Sequence, residues 1–346
     1  MKRPTIADIA RAAGVSKGAV SYALNGRPGV SEPTRQRILD IAEQVGWAPS
    51  SAARALADGR TGAIGLVVDR PARVLGVEPY FMRLIAGIQD QLGAGPPALL
   101  LQVSDNRETE LAIYRRWWAE RRVDGVLLVD LRENDPRIGL VREIGLPSVV
   151  VGGPMGRADV PCVWSDDAMG MTDVLEYLAA LGHRRVTRVA GPRELLHTRT
   201  RSAAFAAAAS RLGLSEARSV YTDYSDEAGA TAARRLLVST EAPTALVFDN
   251  DVMAVAALGV AQELGLSVPA ELSLVAWDDS ALCQLVRPAL TAVRTPISEH
   301  GAAAATVLLE MLDGRPPRDV RAIDPVLVPR SSTGPLRRAA ESYRPH

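Results

Sequence analysis

Polar side chains follow two predicted strands in the second half of the chain. Asn250 comes shortly after the apolar run 245–248, Asp278 shortly after the run 272–276, and Arg201 begins a predicted helix. Carboxylate and amide oxygens accept hydrogen bonds from hydroxyl groups, and a guanidinium donates two bonds in a fixed geometry. These residues could therefore bind a small ligand that carries hydroxyl groups.

Asp and Asn side chains at strand ends have a second common role, because they also cap the N-termini of helices. We expect Asp251 and Asp279 to act as caps, and Asn250 and Asp278 to face the ligand.

The sequence carries no motif of a nucleotide-using or hydrolytic enzyme. G-x-G-x-x-G, the Walker A pattern and H-E-x-x-H are absent, and the match to G-x-S-x-G at Gly14–Gly18 lies between two predicted short helices and not after a strand, where a hydrolase has its nucleophile. The four histidines form no cluster in the sequence, and Cys162 and Cys283 match no metal-ligand spacing. We therefore expect no catalytic residue, no metal and no cofactor.

Short apolar runs alternate with segments of helical periodicity from Ala63 onward, which is typical of doubly wound parallel sheets. In such sheets a ligand binds beyond the carboxyl ends of the strands. Two successive sets of runs predict two α/β lobes with a cleft between them. The predicted strands are 63–68, 98–103, 125–129 and 148–151 in the first set, and 186–190, 219–221, 245–248 and 272–276 in the second.

The first sixty residues have a different pattern. Thr5 and Asp8 resemble a capping box, Gly14 stands at a helix end, and Ser16 can cap a second short helix. Two short helices joined by a Gly-containing turn predict a helix-turn-helix, whose second helix can enter the major groove of DNA. Ser31 begins a third helix.

Charge is unevenly distributed along a chain that is neutral overall. Residues 1–60 hold nine basic and five acidic side chains, a net charge of +4, and the remainder is therefore −4. A segment of +4 is by itself most often a solvated basic face, but together with the helix-turn-helix pattern it indicates a polyanion partner for this segment.

Two further observations bear on the compartment. No uninterrupted apolar run approaches the length of a membrane span, and Lys2-Arg3 is followed by no apolar segment of a secretory signal. We expect a cytoplasmic protein without a membrane partner, in agreement with two unpaired cysteines.

The amino-terminal residues resemble, in order and spacing, the DNA-binding headpiece of the LacI/GalR family of bacterial transcriptional regulators. The resemblance continues to about Ser332. It implies an all-α headpiece, a periplasmic-binding-protein-like body of two lobes, and repression of transcription under the control of a small-molecule effector, commonly a sugar. The matching segments are Thr5-Ile6-Ala7-Asp8-Ile9-Ala10, Gly14-Val15-Ser16, Val20-Ser21, Leu24-Asn25 and Val30-Ser31.

The same resemblance implies the domain boundaries. We expect a headpiece at 1–49, a hinge helix and linker at 50–61, a first lobe at 62–161 and 291–324, and a second lobe at 162–290 and 325–346. The last predicted helix, 298–312, therefore belongs to the first lobe.

DNA contacts are expected from the second helix and from the hinge. Lys17, Gly18 and Tyr22 are placed to reach base edges, and Gly18 has no side chain with which to read a base. The short run 52–57 is below the length at which an isolated helix is stable, and the resemblance implies that Leu56 wedges into the minor groove. The predicted DNA-contacting residues are Thr5, Ser16, Lys17, Gly18, Ser21, Tyr22, Asn25, Ala53 and Leu56.

Effector contacts are expected from both lobes. The resemblance implies that Arg201, Asn250 and Asp278 bond the ligand, and that Trp164 and Tyr224 pack against its ring. Gly152-Gly153 stands where relatives often carry an acid, so we expect first-lobe contacts from Arg73 and Tyr80 instead.

The resemblance also predicts the partners. A homodimer would bind a pseudo-palindromic operator, and the tail after Ser332 holds no leucine heptads for a tetramer. One alternative is a solute-binding protein without a regulatory role. The other is a nucleotide-using enzyme on an α/β scaffold, which the missing motifs oppose.

Overall fold

The computed structural model describes residues 4–47, 59–70, 75–153, 160–214 and 217–336. The predicted hinge residues Ala53 and Leu56 and the predicted effector contact Arg73 lie outside these ranges. The chain divides into two compact units, Met1–Thr61 and Gly62–His346.

The first unit contains three helices whose ends follow the predicted caps. The Asp8 carboxylate accepts hydrogen bonds from the backbone N–H and the hydroxyl of Thr5, at 3.0 and 2.6 Å. Gly14 has φ 65°, the left-handed conformation that ends a helix. Ser16 Oγ accepts from the N–H of Ala19 at 3.1 Å. The helices are α1 Ile6–Ala13, α2 Lys17–Leu24 and α3 Glu32–Gln44.

Arg35 of α3 holds the end of α2 in place. Its guanidinium donates to the carbonyl of Ala23 at 3.1 Å and to that of Arg27 at 2.8 Å. The three helices bury one small apolar core, which includes Ile9, Val20 and Ile38. The exposed face of α2 is therefore fixed by both apolar packing and a charged clamp.

The second unit contains two six-stranded sheets. The strands of the first sheet have the order β11-β5-β4-β3-β1-β2, and the recorded pairs are all parallel. Its elements are β1 Ala63–Asp69, α4 Pro79–Leu92, β2 Ala98–Ser104, α5 Arg107–Ala119, β3 Gly125–Leu128, α6 Pro136–Glu143, β4 Ser148–Val151, β5 Cys162–Trp164 and β11 Val320–Arg321.

The second sheet has the order β12-β10-β9-β8-β6-β7, and β12 pairs with β10 in the antiparallel direction. The two doubly wound sheets of the fold prediction are thereby confirmed. The elements are α7 Asp167–Ala180, β6 Val186–Ala190, α8 Leu196–Arg211, β7 Arg218–Tyr221, α9 Asp226–Leu237, β8 Ala245–Phe248, α10 Asp251–Glu263, β9 Ser273–Trp277, α11 Ala281–Leu285, β10 Thr291–Arg294 and β12 Val326–Val328.

The last long helix, α12 Ile297–Leu312, packs on the first sheet and not on the second. Glycine allows it to approach α4 closely. A Cβ at Gly87 would lie 1.8 Å from the carbonyl oxygen of Ser298, and one at Gly301 would lie 2.3 Å from that of Leu84. A side chain larger than hydrogen cannot fit at this crossing.

Two details of the sequence interpretation differ from the structure. The short strands β5, β10, β11 and β12 were not predicted. Helix α8 begins at Leu196, so Arg201 lies inside the helix and does not open it. In the part of the chain that the structure describes, no helix is long and apolar enough to span a bilayer.

Candidate functional site

A cleft lies at the carboxyl ends of the strands of both sheets. In the first sheet the strand order reverses between β1 and β3, and in the second between β6 and β8. Ligands of open α/β sheets bind at such reversals. Arg70 and Asp130 follow β1 and β3, and Asp249 follows β8, so all three side chains line the cleft.

Arg201 reaches the cleft from the second turn of α8. Its Nε donates to Asp167 at 2.9 Å, its Nη1 donates to the carbonyl of Asp249 at 3.3 Å, and its guanidinium lies 4.0 Å from the ring centroid of Trp277. Burial by itself lowers the pKa of Arg201, but the negative charges of Asp167 and Asp249 outweigh burial and raise it. The group is a fixed cation with donors directed along the cleft wall.

Asn250 is the N-cap of α10, which corrects the expectation that Asp251 has this role. Asn250 Oδ1 accepts from the N–H of Met253 at 2.9 Å, and Nδ2 donates to the carbonyl of Tyr224 at 3.0 Å. Asp251 instead accepts from the N–H of Ser280. The cap falls one residue earlier because Asn250 has the extended backbone that an N-cap needs.

Asp279 does not cap a helix either, and this expectation was also wrong. Its carboxylate pairs with Arg294 at 2.9 Å and with Arg330 at 2.6 Å. Ser280 is the N-cap of α11.

Asp278 lines the cleft, as the sequence predicted. Its backbone is in the left-handed region, at φ 80°, which is uncommon for a residue other than glycine. Its side chain is 9% exposed and receives no hydrogen bond from any residue within the described ranges. Burial raises the pKa of this carboxyl well above its usual value, and the positive charge of Arg201 only partly opposes this effect.

Tyr224 and Trp164 both line the cleft. The Tyr224 hydroxyl bonds to His197 Nε2 at 2.7 Å, and the Tyr224 ring fills the space where a Cβ at Gly191 would lie. Burial, followed by the charge of Arg201, lowers the pKa of His197 to about 4, so this imidazole is neutral at pH 7. Trp164 is half-buried and has the guanidinium of Arg321 5.2 Å from its ring centroid.

The first sheet contributes a charged cluster that the sequence interpretation missed. Arg70 pairs with Asp130 at 2.7 Å and with Glu78 at 3.7 Å. The rule that identified Asn250, a polar residue directly after a strand, applies equally to Arg70 and Asp130 and could have found them. Glu78 precedes α4 and shows no such signal.

Burial raises the pKa of Glu78 to about 7, against the opposing charge of Arg70. Tyr80 lines the cleft beside this cluster, together with the left-handed Gly152 and Gly153. The predicted aromatic contact from the first lobe is thus at the cleft.

Thr295 and His300 complete the wall from the start of α12. Both are buried, and Thr295 Oγ1 and His300 Nε2 have no hydrogen-bond partner in the described structure. Each is a polar group that a ligand could satisfy.

The predicted DNA-reading residues lie in the first unit, on α2 and its flanks. Lys17, Gly18, Tyr22 and Asn25 are exposed, while Val20 and Ala23 on the opposite face are buried. Ser16 and Asn25 also stabilise the helix itself, as N-cap and C-cap. Thr5 is exposed at the start of α1, and Ser21 is half-buried.

Comparison with known proteins agrees with this architecture. Residues 5–50 match the family of bacterial regulatory proteins described as the lacI family. Residues 175–333 match a periplasmic binding protein-like domain.

Relatives match over almost the whole chain. The HTH-type transcriptional regulator CelR of Thermobifida fusca is 30% identical over 93% of this chain and 96% of its own length. MalR of Streptomyces coelicolor, another HTH-type transcriptional regulator, is 32% identical over 95% of this chain and 96% of its own length.

Solved structures give the same result. The lac repressor dimer bound to operator and the anti-inducer ONPF has a TM-score of 0.83 and 25% identity, and covers 96% of this chain and all of that one. A CelR–cellobiose complex has a TM-score of 0.72 and 28% identity, and covers 95% of this chain and all of that one. The helix-turn-helix unit, the two-sheet body and these full-length relatives together show that this chain belongs to the LacI family of bacterial transcriptional regulators.

Proposed function

We propose that this protein is a repressor that binds a pseudo-palindromic operator as a homodimer and is controlled by a sugar in the cleft of its body. One observation carries the proposal. A single chain joins a helix-turn-helix with an exposed reading face to a body whose strand ends bring together a guanidinium, carboxylates and aromatic rings. The relatives support it, since one is a lac repressor dimer on its operator and another a cellobiose complex.

DNA is read in this proposal by the exposed face of α2. Lys17 would donate to guanine in the major groove, a contact worth about 1–3 kcal/mol of discrimination when well formed. Tyr22 would contact bases one turn further on, and Thr5, Ser16, Ser21 and Asn25 would contact phosphates. Gly18 offers no side chain, so we expect loose specificity at the base that it faces.

In this proposal the linker couples sugar binding in the body to DNA binding by the headpiece. We propose a headpiece at 1–49, a hinge at 50–61, and lobes at 62–161 with 291–324 and at 162–290 with 325–346. The resemblance supports minor-groove contacts by Ala53 and Leu56. A sugar that favours one lobe arrangement would change the hinge equilibrium, and a shift from 1:99 to 99:1 requires about 5.5 kcal/mol of differential affinity.

The sugar would be held from both sheets. Arg201, Asn250 and Asp278 would bond its hydroxyl groups, and Trp164, Tyr224 and Tyr80 would pack on its apolar faces. Arg73 is proposed as a further contact from the resemblance alone. We propose no cofactor and no catalytic turnover, because the relatives are regulators and not enzymes.

A mobility-shift assay on the DNA upstream of the protein's own gene tests the DNA-binding part. We expect retardation by the full chain, and a loss of at least about tenfold in Lys17→Ala, in line with one missing base contact. Arg11→Ala, at an exposed position on α1, is the matched control and should bind as the wild type does. The proposal fails if the full chain does not retard this DNA with or without sugars.

The hinge is tested on the same DNA at two salt concentrations. Leu56→Ala should weaken specific binding and leave the salt-sensitive, non-specific binding nearly intact, because phosphate contacts dominate the latter. Equal losses in both would contradict a wedge at Leu56.

A solute-binding protein without a regulatory role is the second candidate. The periplasmic binding protein-like match at 175–333 is the observation that favours it. It predicts sugar binding by the body together with a headpiece that ignores DNA, so the same assay separates the two candidates.

A further inference from the structure

The cleft is lined by more carboxyl groups than cations. Five carboxyls face it, and three have a guanidinium within 3 Å. Asp249 pairs with Arg188 at 2.5 Å, Asp167 with Arg201 at 2.9 Å, and Asp130 with Arg70 at 2.7 Å. The other two carboxyls are Glu78 and Asp278.

Glu78 and Asp278 have no cation of their own. Glu78 shares Arg70 with Asp130 and lies further from it, at 3.7 Å, and its Oε2 receives no hydrogen bond from the described chain. Asp278 accepts a bond only at its backbone carbonyl, from Arg83 at 2.7 Å, among the bonds of the described residues. Both side chains are more than nine-tenths buried. Glu78 Oε2 is therefore a buried acceptor, and the Asp278 carboxylate a largely buried one, for which the described residues supply no donor.

Among the described residues that line the cleft, no guanidinium is left unpaired for an anion. Arg70 and Arg201 are already paired with Asp130 and Asp167. Burial lowers the pKa values of His197 and His300, so both imidazoles are neutral near pH 7.

A separate observation indicates that a hydroxyl-bearing ligand fits here. Thr295 Oγ1 and His300 Nε2 are buried on the same wall without a partner in the described structure. A neutral hydroxyl and a neutral imidazole can each donate or accept, and so can the hydroxyl groups of a ligand.

We propose that the effector is a polyhydroxyl compound without negative charge, whose donors satisfy Glu78 and Asp278, and that the cleft rejects phosphorylated sugars and sugar acids. This inference rests on the proposed effector role of the cleft and adds the charge class of the ligand. The rejection follows from two features of the described cleft. Its guanidinium groups are already paired with carboxylates, and an entering phosphate would have to approach Glu78, which is negatively charged above its pKa of about 7 and repels a like charge.

A thermal-shift library of matched sugars, measured at pH 8 so that Glu78 is ionised, tests the charge class on the full chain. Each uncharged mono- or disaccharide is paired with its phosphate and with its uronic acid. We expect the sugars that raise Tm to be uncharged, and the best of them to lose at least about 100-fold in affinity, measured by calorimetry, on gaining a phosphate. A phosphate or uronate that binds within tenfold of its parent overturns the inference, and so does a library in which no uncharged sugar binds. The operator assay above is independent of this result, so the two proposals can fail separately.

Variants of the two carboxyls show whether negative charge is the reason that the cleft rejects phosphorylated sugars. At pH 8, where Glu78 is ionised, Glu78→Gln/Asp278→Asn should lower the ratio of phosphate Kd to parent Kd by at least about tenfold, because no negative charge is left at these two positions. Glu78→Gln alone should change the ratio in the same direction and serves if the double variant folds poorly. Glu143→Gln, an exposed acid at the end of α6, should leave the ratio unchanged. An unchanged ratio in both cleft variants means that shape and not charge excludes the phosphate, and the inference is wrong.

Discussion

Arg83 donates a hydrogen bond from Nη1 to the backbone carbonyl of Asp278 at 2.7 Å, across 195 positions of sequence. Arg83 lies on α4, against the first sheet, and Asp278 follows β9 of the second. The bond therefore ties the two sheets together at the residue whose side chain faces the cleft. Glu133 and Arg199 form an ion pair between the same two parts of the body.

The Arg83 bond should influence both ligand affinity and stability. Arg83→Met removes a charged donor, and such bonds contribute about 1.5–3 kcal/mol. We expect at least about tenfold weaker sugar binding by calorimetry and a decrease of about 1.5–3 kcal/mol in the free energy of unfolding. Arg115→Met, at an exposed position on α5, is the control. Unchanged affinity in Arg83→Met would show that the bond does not contribute to the ligand-binding arrangement.

The glycine contact between α4 and α12 should tolerate no side chain. Gly87→Ala places a Cβ 1.8 Å from a backbone oxygen, so the helices must separate, and we expect destabilisation by at least about 2 kcal/mol in urea unfolding. Gly139→Ala on α6 meets nothing within 4 Å, and should be neutral or stabilising by up to about 1 kcal/mol. Similar effects of both substitutions would contradict the tight crossing.

Arg188 and Asp249 should behave as a buried pair. Both are almost fully inaccessible, and Arg188 also donates to Ser202 Oγ at 2.7 Å. Arg188→Met leaves a buried carboxylate without its cation and should cost about 3–5 kcal/mol. Arg188→Met/Asp249→Asn should cost less than the sum of the two single changes by at least about 2 kcal/mol. Strict additivity in a urea-unfolding cycle would exclude this coupling.

Glu78 should make the free protein less stable as pH rises. Its pKa in the folded protein is about 7, above the ordinary 4.5, so the folded state binds more protons than the unfolded state between these values. Its contribution to stability therefore falls from pH 4.5 to 7 and is lowest above pH 7. Relative to wild type, the free energy of unfolding of Glu78→Gln should increase by up to about 3 kcal/mol from pH 5 to pH 7.5. Glu143→Gln is the matched control, and a pH-independent difference for Glu78→Gln would refute the assignment.

Arg35 should be needed for the fold of the first unit. Arg35→Met removes both bonds to the end of α2, and we expect about 1–3 kcal/mol lower stability of this unit and weaker DNA binding. Arg37→Met, on the exposed side of α3, is the control. DNA binding that survives unchanged in Arg35→Met would show that the clamp does not position the helix.

Features of the protein that depend only on residues close together in the sequence could be predicted from the sequence. Thr5, Asp8, Gly14 and Ser16 predicted the helix-turn-helix because caps act over three or four positions. The alternation after Ala63 predicted two doubly wound sheets because a strand and the following helix each show their own period. The rule about strand ends predicted that Asn250 and Asp278 line the cleft.

Tertiary structure decided which distant residues share the cleft and what each one does there. Glu78, Thr295 and His300 show no sequence signal, because their role arises only where α4 and α12 pack on the first sheet. Asn250 is an N-cap because of its backbone conformation. Asp279 is an ion-pair partner because folding places Arg294 and Arg330, which are 15 and 51 positions away in the sequence, beside its carboxylate. The charge balance of the cleft is likewise a property of the folded chain. Each guanidinium pairs with a carboxylate that is distant in the sequence, and only folding brings the two within reach.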